Sequence, residues 1–241
     1  MADPPGVSGL DSSLLLRPVS GGNAFEETVQ RLLQTVRLGL VAPGERLPSE
    51  RDLAAQLNVS RDTLRDAIAS LAEAGYLVSR RGRYGGTFVT AVVPAPPGAT
   101  RRIGAAEIDD VLTLRDILEV GAARAAASRV LPATARELLW ASLGAAQDAS
   151  PEDYRRLDAR LHLYIGELAG SSLLVPLLAD VRMRINELLD SIPSLGPNIA
   201  HSNAQHEQIV LAILSGRADA AAQAMREHLA GTALLLRGFL E

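Results

Sequence analysis

Two helical segments joined by a tight turn constrain the fold of this chain more than any other feature, and they lie between residues 43 and 89. Ser49 is placed to cap a helix starting at Glu50, with Asp52 as its capping-box partner, and Ser60 caps a second helix that ends at Gly75. Apolar residues recur on one face of each helix: Leu53, Ala54 and Leu57, then Leu64, Ile68 and Leu71. A short helix, a tight turn and a longer helix form a helix-turn-helix.

The second helix is the candidate DNA-reading element of this motif. Burial of its apolar face leaves the polar side chains of residues 61–63 and 65 at its exposed N-terminal end, where such motifs meet base edges. Two predicted strands follow, at residues 76–80 and 86–90, and a glycine-rich loop with Arg81 and Arg83 joins them. We expect this hairpin to form a wing that reaches phosphate or the minor groove.

At these residues the chain resembles the GntR family of bacterial transcription regulators. The ordered motifs that carry the resemblance lie at residues 43–51, 59–61, 64–65, 75–77 and 81–89. Carried over one by one, the family's DNA contacts fall on Arg51, Ser60, Arg61, Thr63, Arg65 and Gly86. Asp62 departs from the neutral or basic residue common at its position. Because a carboxylate repels phosphate, Asp62 leaves the operator sequence open.

Composition excludes several classes of function. The chain has no cysteine, which excludes disulfides, thiol catalysis and sulfur-based metal sites. With neither a leader pattern nor an apolar run of about 18 residues, the sequence predicts a cytoplasmic protein without a membrane partner. The formal net charge of −4 argues against indiscriminate binding to nucleic acid, and residues 21–93 hold nine arginines against eight acidic residues. DNA contact must therefore use individually placed arginines.

The chain is long enough for two domains. We expect a flexible N-terminal arm at residues 1–22, a winged helix-turn-helix domain at 23–93, a proline-rich linker at 94–105, and a helical effector-binding and dimerisation domain at 106–241. The predicted fold is mainly α, with a small β-hairpin in the first domain and an antiparallel bundle of six or seven helices in the second. The predicted bundle helices span residues 108–129, 133–146, 151–169, 173–189, 203–214 and 218–239.

A possible metal-ligand set lies in the predicted bundle. Asp158 and His162 are four residues apart on one helix and therefore project from the same face, while His206 and His228 lie on the two last helices. Nitrogen and oxygen donors without thiolate suit zinc, nickel, iron or manganese. An Asp and a His at this spacing also often make only a local hydrogen bond, so the residues by themselves leave both interpretations open.

The C-terminal part resembles the FadR-type subgroup of GntR regulators, whose helical domain is called FCD. The matching pieces lie at residues 114–119, 158–162, 206–213 and 225–229. The resemblance implies that Asp158, His162, His206 and His228 bind a divalent metal, with zinc the first expectation and nickel, manganese or iron the alternatives. His201 matches no ligand position, and we expect it in an exposed loop.

The same resemblance implies an effector contact at Arg115. In the resembling family, an arginine at this position points into the cavity and helps to hold a carboxylate effector. We expect the metal to bind one oxygen of the effector carboxylate and Arg115 to bind the other. The alternative is a solvated ion pair between Arg115 and Glu119, and Glu119 is otherwise expected outside the ligand set. Arg182 and Arg184 face either the cavity or solvent, and the sequence does not decide between these.

Together these features predict a homodimeric DNA-binding regulator. It reads a pseudo-palindromic double-stranded operator, and we expect a repressor that a small carboxylate releases. The alternatives are a metal-dependent hydrolase or lyase, a regulator with a purely structural metal, and a regulator of the same type whose effector is acyl-CoA. The lack of a free general base argues against the enzyme, and a filled metal site argues against acyl-CoA.

Overall fold

The computed structural model describes Leu16 and residues 24–80, 82, 85–94, 104–192 and 196–240. The chain forms two compact units, residues 1–95 and 96–241. The described elements are α1 (Ala24–Arg37), α2 (Glu50–Leu57), α3 (Arg61–Glu73), β1 (Leu77–Arg80), β2 (Gly86–Val89), α4 (Ala105–Ala127), α5 (Ala133–Gln147), α6 (Tyr154–Leu168), α7 (Leu174–Asp190), α8 (Gly196–Leu214) and α9 (Ala218–Leu240). The predicted fold class is confirmed.

Two serine caps determine where the helix-turn-helix begins. The Oγ atom of Ser49 accepts the N–H of Asp52 at 3.2 Å, and that of Ser60 accepts the N–H of Thr63 at 3.0 Å. Each cap satisfies a backbone donor that the first turn of a helix leaves without a partner. Between the helices Asn58 adopts a left-handed conformation with φ of 53°, which a short polar side chain tolerates. The tight turn predicted at this point is therefore present.

The winged unit has its own hydrophobic core. Helix α1 packs against α3, and the antiparallel pair β1 and β2 closes the unit with Leu77 opposite Val89. The core side chains include Leu32, Leu53, Leu57, Leu64, Ile68 and Leu71. Leu16 is buried in the same cluster. An N-terminal arm was predicted for residues 1–22. Leu16 is the one residue of that segment that the structure describes, and the others lie outside the described residues.

Helix α4 is central to the second unit, because it packs against α6, α7, α8 and α9. Helix α5 packs against α6 and α8, and α8 against α9. An apolar cluster fills the bundle near the start of α4 and the ends of α7 and α9, and it includes Ile108, Val181, Ile185 and Leu236. Any polar side chain on the inner face of α4 is therefore enclosed by other helices.

The structure corrects one predicted boundary. A helix was expected to start at Asn203, after a break over residues 191–200, but α8 starts at Gly196. Pro197 does not prevent this, since proline lies in the first turn, where its missing N–H removes no helical hydrogen bond. His201, expected in a loop, consequently lies on α8, where it is exposed as predicted.

Candidate metal centre and nucleic-acid interface

Four buried side chains from three helices converge inside the bundle. Asp158 and His162 lie on α6, His206 on α8 and His228 on α9, and one donor atom from each lies within 4.8 Å of the other three. The Nε2 atom of His206 is 3.2 Å from Nε2 of His162 and 3.3 Å from Nε2 of His228. The same atom is 3.2 Å from Oδ1 of Asp158. The structure thus brings all four predicted ligands together.

Hydrogen-bonding groups outside this cluster orient two of the imidazoles. The Nδ1 atom of His162 lies against Oε2 of Glu119, and Nδ1 of His228 is 3.3 Å from Oε1 of Gln205. Because carboxylate and amide oxygens accept, each Nδ1 carries the proton and each Nε2 presents its lone pair inward. The cluster is therefore a concentration of electron pairs in a buried space.

These spacings fit a metal ion. Ligands at about 2.1 Å from a tetrahedral metal are separated from each other by roughly 3.4 Å. The nitrogen–nitrogen separations of 3.2 and 3.3 Å around His206 are close to that value, Nε2 of His162 is 3.8 Å from Oδ1 of Asp158, and the whole set lies within 4.8 Å. Burying a carboxylate and three imidazoles together is costly, and a cation between their donor atoms offsets that cost. The buried His and Asp cluster can therefore hold a metal.

Two buried arginines and one buried glutamate surround the cluster. The Nε atom of Arg115 donates to Oε1 of Glu119 at 3.0 Å, and Nη1 of Arg182 lies 3.7 Å from the same oxygen. The Nη2 atom of Arg182 also donates to Oδ2 of Asp158. The predicted ion pair between Arg115 and Glu119 is present, but both side chains are only 2% exposed. The alternative of a pair in contact with solvent was therefore wrong.

Sequence reasoning missed part of this arrangement. Arg182 was left undecided and lies inside, whereas Arg184 is 63% exposed and pairs with Glu187. Glu119 was expected outside the ligand set, and it lies there, against His162, one of the four predicted ligands. One signal was available in the sequence: Arg182 falls on the buried stripe of α7 with Leu178 and Ile185, at helical spacing.

Burial and charge hold three members of the cluster, Asp158, His162 and His228, in the protonation states that bind metal. Burial lowers the pKa of His162 to about 4, and burial also holds the pKa of His228 well below its usual value. Burial by itself would raise the pKa of Asp158, but the charge of Arg182 outweighs it and the pKa lies well below the usual range. At neutral pH these imidazoles are neutral and the carboxylate is ionised.

A cavity of about 70 Å³ adjoins the cluster. Asp158 and His228 line it together with Arg115. The remaining polar walls include Tyr154, Arg155, Asn198, Ser202 and Thr232. This volume is far smaller than an acyl-CoA.

The predicted DNA-contacting residues of the helix-turn-helix lie on its accessible side. Arg51 and Arg61 are exposed, and Ser60 and Thr63 form the cap of α3 with their hydroxyl oxygens 2.8 Å apart. Arg65 is 58% exposed, and its Nε atom donates to Oε2 of Glu50 at 2.9 Å. Most of these side chains thus share the N-terminal end of α3.

The wing places its glycine close to an arginine. Gly86 has φ of 150°, and a Cβ atom at this position would lie 2.5 Å from Nε of Arg46. The guanidinium of Arg80 stands 4.7 Å from the centre of the Phe88 ring, a favourable cation–π distance. Arg81 and Arg83, predicted in the wing loop, lie outside the described residues.

A winged helix-turn-helix of this kind defines a DNA-binding protein, and comparison with known proteins identifies its family. Residues 25–89 match the family described as bacterial regulatory proteins, gntR family, and residues 110–231 match the FCD domain. The chain belongs to the GntR family of transcription regulators and carries an FCD domain. Because these families are regulators, the alternative of a hydrolase or lyase is not supported.

Individual relatives agree with this assignment. A protein of Escherichia coli K12 named as a putative L-lactate dehydrogenase operon regulatory protein is 30% identical over 90% of this chain and 87% of its own length. LutR, an HTH-type transcriptional regulator of Bacillus subtilis 168, is 25% identical over 86% of this chain and 98% of its own length. The solved structure of McbR/YncC from E. coli has the same fold, with a TM-score of 0.54, 19% identity, and coverage of 91% of this chain and 98% of that one.

No helix among the described residues combines the length and the apolar character that a membrane span requires.

Proposed function

We propose that this regulator is a repressor that a small carboxylate releases from its operator when it binds at a metal in the C-terminal bundle. One observation carries the proposal: two of the four convergent buried donors, Asp158 and His228, line a cavity of about 70 Å³ together with the buried Arg115. A centre built only for stability needs neither the cavity nor the extra cation. The volume fits a small acid.

The metal would be held by Asp158, His162, His206 and His228. Three imidazoles and one carboxylate suit zinc first, and nickel, manganese or iron next. When bound, the divalent ion supplies a positive centre that attracts a carboxylate oxygen. Glu119 fixes the ring of His162 through Nδ1, and Gln205 does the same for His228. The ligands are therefore preorganised by their neighbours.

Arg115 is the proposed partner of the effector carboxylate. Its Nε atom is engaged with Glu119, but its Nη1 atom is buried without a hydrogen-bond partner among the described residues. An arginine fork with one free arm beside a metal can hold the second oxygen of a carboxylate. The E. coli relative is named for an L-lactate dehydrogenase operon, and lactate is a small carboxylate, which supports this class of effector.

A homodimer would bring two DNA-reading helices to one pseudo-palindromic operator. Helices α4 and α7 pack on each other and expose large apolar side chains: Leu114 and Ile117 on α4, and Leu177 on α7. Apolar side chains exposed in the single chain are typical of a surface that a partner covers. We infer that a second copy covers this face.

Helix α4 is the proposed route of the signal. It carries Arg115 and Glu119 on its inner face and Ile117 on its outer face, and its first turn follows the predicted linker at 94–105. An acid that binds Arg115 therefore acts on the helix that leads toward the DNA-binding unit. Differential binding of the acid to two positions of α4 would couple the cavity to operator affinity.

Operator affinity in the presence and absence of small carboxylates tests the proposal. The operator would be selected from a random DNA pool, and binding to metal-loaded protein measured by fluorescence anisotropy. We expect one acid to weaken binding at least about tenfold, a coupling of ordinary size for a regulator. Affinity that stays constant across a broad panel of acids would remove the sensor.

A purely structural metal is the second candidate, and the burial of the cluster favours it. His162, His206 and His228 are each at most 3% exposed, and closed structural sites are typically shielded in this way. This candidate predicts that metal raises the melting temperature while no acid changes either melting or DNA binding. The same anisotropy experiment with parallel thermal melts separates the two candidates.

A further inference from the structure

Three buried donors around the cavity have no hydrogen-bond partner among the described residues. They are Nη1 of Arg115, the hydroxyl of Tyr154 and Nη1 of Arg155, and all three side chains line the same cavity. A buried donor without an acceptor is costly, so native proteins rarely leave one. Three of them on one small cavity indicate a ligand with several acceptor atoms.

Arg155 is only partly engaged by the protein itself. Its Nε atom lies 3.4 Å from Oδ1 of Asp190, whose side chain is 61% exposed, while the side chain of Arg155 is 28% exposed. The next residue, Arg156, behaves differently: its Nη2 atom pairs with Asp153 at 3.1 Å, and it does not line the cavity. Arg155 therefore keeps one arm free at the cavity.

The free donors come from two different helices. Arg115 lies on α4 next to Glu119, whereas Tyr154 and Arg155 form the first turn of α6. Burial raises the pKa of Tyr154 more than the side chain of Ser202 lowers it, so the phenol keeps its proton and can donate it. One carboxylate satisfies the donor of Arg115, and the donors of Tyr154 and Arg155 call for a second acceptor group on the same ligand.

Volume limits the length of this ligand. A water-sized group needs about 10 to 15 Å³ on the same measure, so the cavity of about 70 Å³ holds on the order of five to seven such groups. Atoms joined by bonds lie closer together than waters do. An acid of three or four carbons with a second polar end fits, and a long-chain acid does not.

We propose that the effector is a dicarboxylate of three or four carbons. One carboxylate binds Arg115 at the histidine cluster, and the other binds the guanidinium of Arg155 and the hydroxyl of Tyr154. This inference rests on the carboxylate sensor proposed above and adds the class of acid. Arg155 and Tyr154 are thereby the residues that distinguish a dicarboxylate from a monocarboxylate.

Matched acids test the proposal on the full-length, metal-loaded protein. Malonate is compared with propionate, and succinate with butyrate, by isothermal titration calorimetry, with lactate as a hydroxylated monocarboxylate. We expect the better dicarboxylate to bind about tenfold or more tightly than any of the monocarboxylates, because a charged hydrogen-bonded contact is added. Equal affinity for both members of each pair, or tightest binding of lactate, overturns the proposal and leaves the carboxylate sensor standing.

Variants locate the second contact. Arg155→Gln should abolish the preference for the dicarboxylate while keeping the affinity for the monocarboxylate, and Tyr154→Phe should reduce the preference several-fold. Arg156→Gln is the matched control and should keep the preference. Unchanged monocarboxylate affinity shows that Arg155→Gln is folded, and a preference that survives in this variant overturns the assignment. If no acid binds the wild-type protein at all, the carboxylate sensor itself fails.

Discussion

Arg61 and Arg65 lie four residues apart on α3 but differ in their ion-pair partners. Arg65 pairs with Glu50 at 2.9 Å and approaches Asp62 at 4.0 Å, whereas Arg61 makes no ion pair with any residue that the structure describes. A free exposed guanidinium can turn toward a guanine or a phosphate without losing a partner. Arg61 is therefore the arginine on which operator recognition should depend most directly.

Substitution of Arg61 by alanine should cost about 1 to 3 kcal/mol of discrimination between operator and random DNA if the side chain contacts a base. The measurement is binding of both DNAs at one fixed salt concentration. A loss of equal size on both DNAs would instead identify Arg61 as a phosphate contact and contradict the base-reading role.

His206 is the residue through which the metal cluster is most easily tested, because its Nε2 atom lies within 3.3 Å of three other donors. His206→Ala should lower the metal content and the response to acid while DNA binding stays intact. Elemental analysis of the purified protein gives the metal content.

His201→Ala is the control for this change, since His201 lies exposed on the same helix five residues earlier. It should keep the full metal content. Full occupancy in the His206 variant would refute the proposed site.

At the scale of elements, the approach of α6 to α7 depends on one glycine. A Cβ atom on Gly166 would lie 2.2 Å from Cδ1 of Leu178, a buried side chain of α7. With Leu178 in this position, a methyl group at residue 166 requires the leucine side chain or the helix to move. Because α6 also carries Asp158 and His162, the contact keeps two cluster residues in position.

Gly166→Ala should therefore destabilise the bundle by about 1 to 3 kcal/mol, the usual cost of overpacking a core. Gly144→Ala is the matched control, since this helical glycine on α5 has no atom within 4 Å of the added methyl group. The control should gain up to about 1 kcal/mol from helix propensity. Urea unfolding measures both, and a Gly166 variant as stable as the control would show that α6 and α7 adapt.

Most elements could be predicted from sequence because local rules determine them. The caps at Ser49 and Ser60 and the apolar spacing of Leu64, Ile68 and Leu71 predicted the helix-turn-helix within one or two residues. The start of α8 could not be predicted in this way. Proline and glycine normally predict a break between helices. Here the packing of the surrounding bundle determines that a helix begins at Gly196.

The site was predictable in its ligands but not in its surroundings. The family resemblance named Asp158 and the three histidines, and these four converge. The positions of Arg182, Tyr154 and Arg155 depend on which face of α6 and α7 turns inward, and charged residues are normally expected to face solvent. The apolar stripe of α7 could have indicated the burial of Arg182. The places of Tyr154 and Arg155 at the cavity follow from packing between distant helices, which no local pattern encodes.

At the scale of the whole molecule, function should depend on a second copy. Ile117 lies on α4 and is 64% exposed. It is one of the apolar side chains that we assign to the dimer interface. Ile117→Asp should shift the protein toward monomer in analytical ultracentrifugation and weaken operator binding, because one reading helix contacts only half of the operator.

Val130→Asp provides the comparison for the dimer. Val130 is a fully exposed apolar residue that follows the end of α4 and is not among the side chains assigned to the dimer, so its change should leave the mass and the DNA affinity as they are. A dimer that persists in the Ile117→Asp variant would place the interface elsewhere in the chain.

Glu119 has one oxygen on Arg115 and the other against His162, so a single carboxylate touches both the proposed acid contact and a proposed metal ligand. Any acid that draws Arg115 away changes the charge that His162 experiences. If an acid binds Arg115 and a metal binds His162 as proposed, the two affinities are linked through Glu119 and cannot be altered separately. A substitution at position 119 that changes the preference for one acid over another would then change the preference for the metal as well.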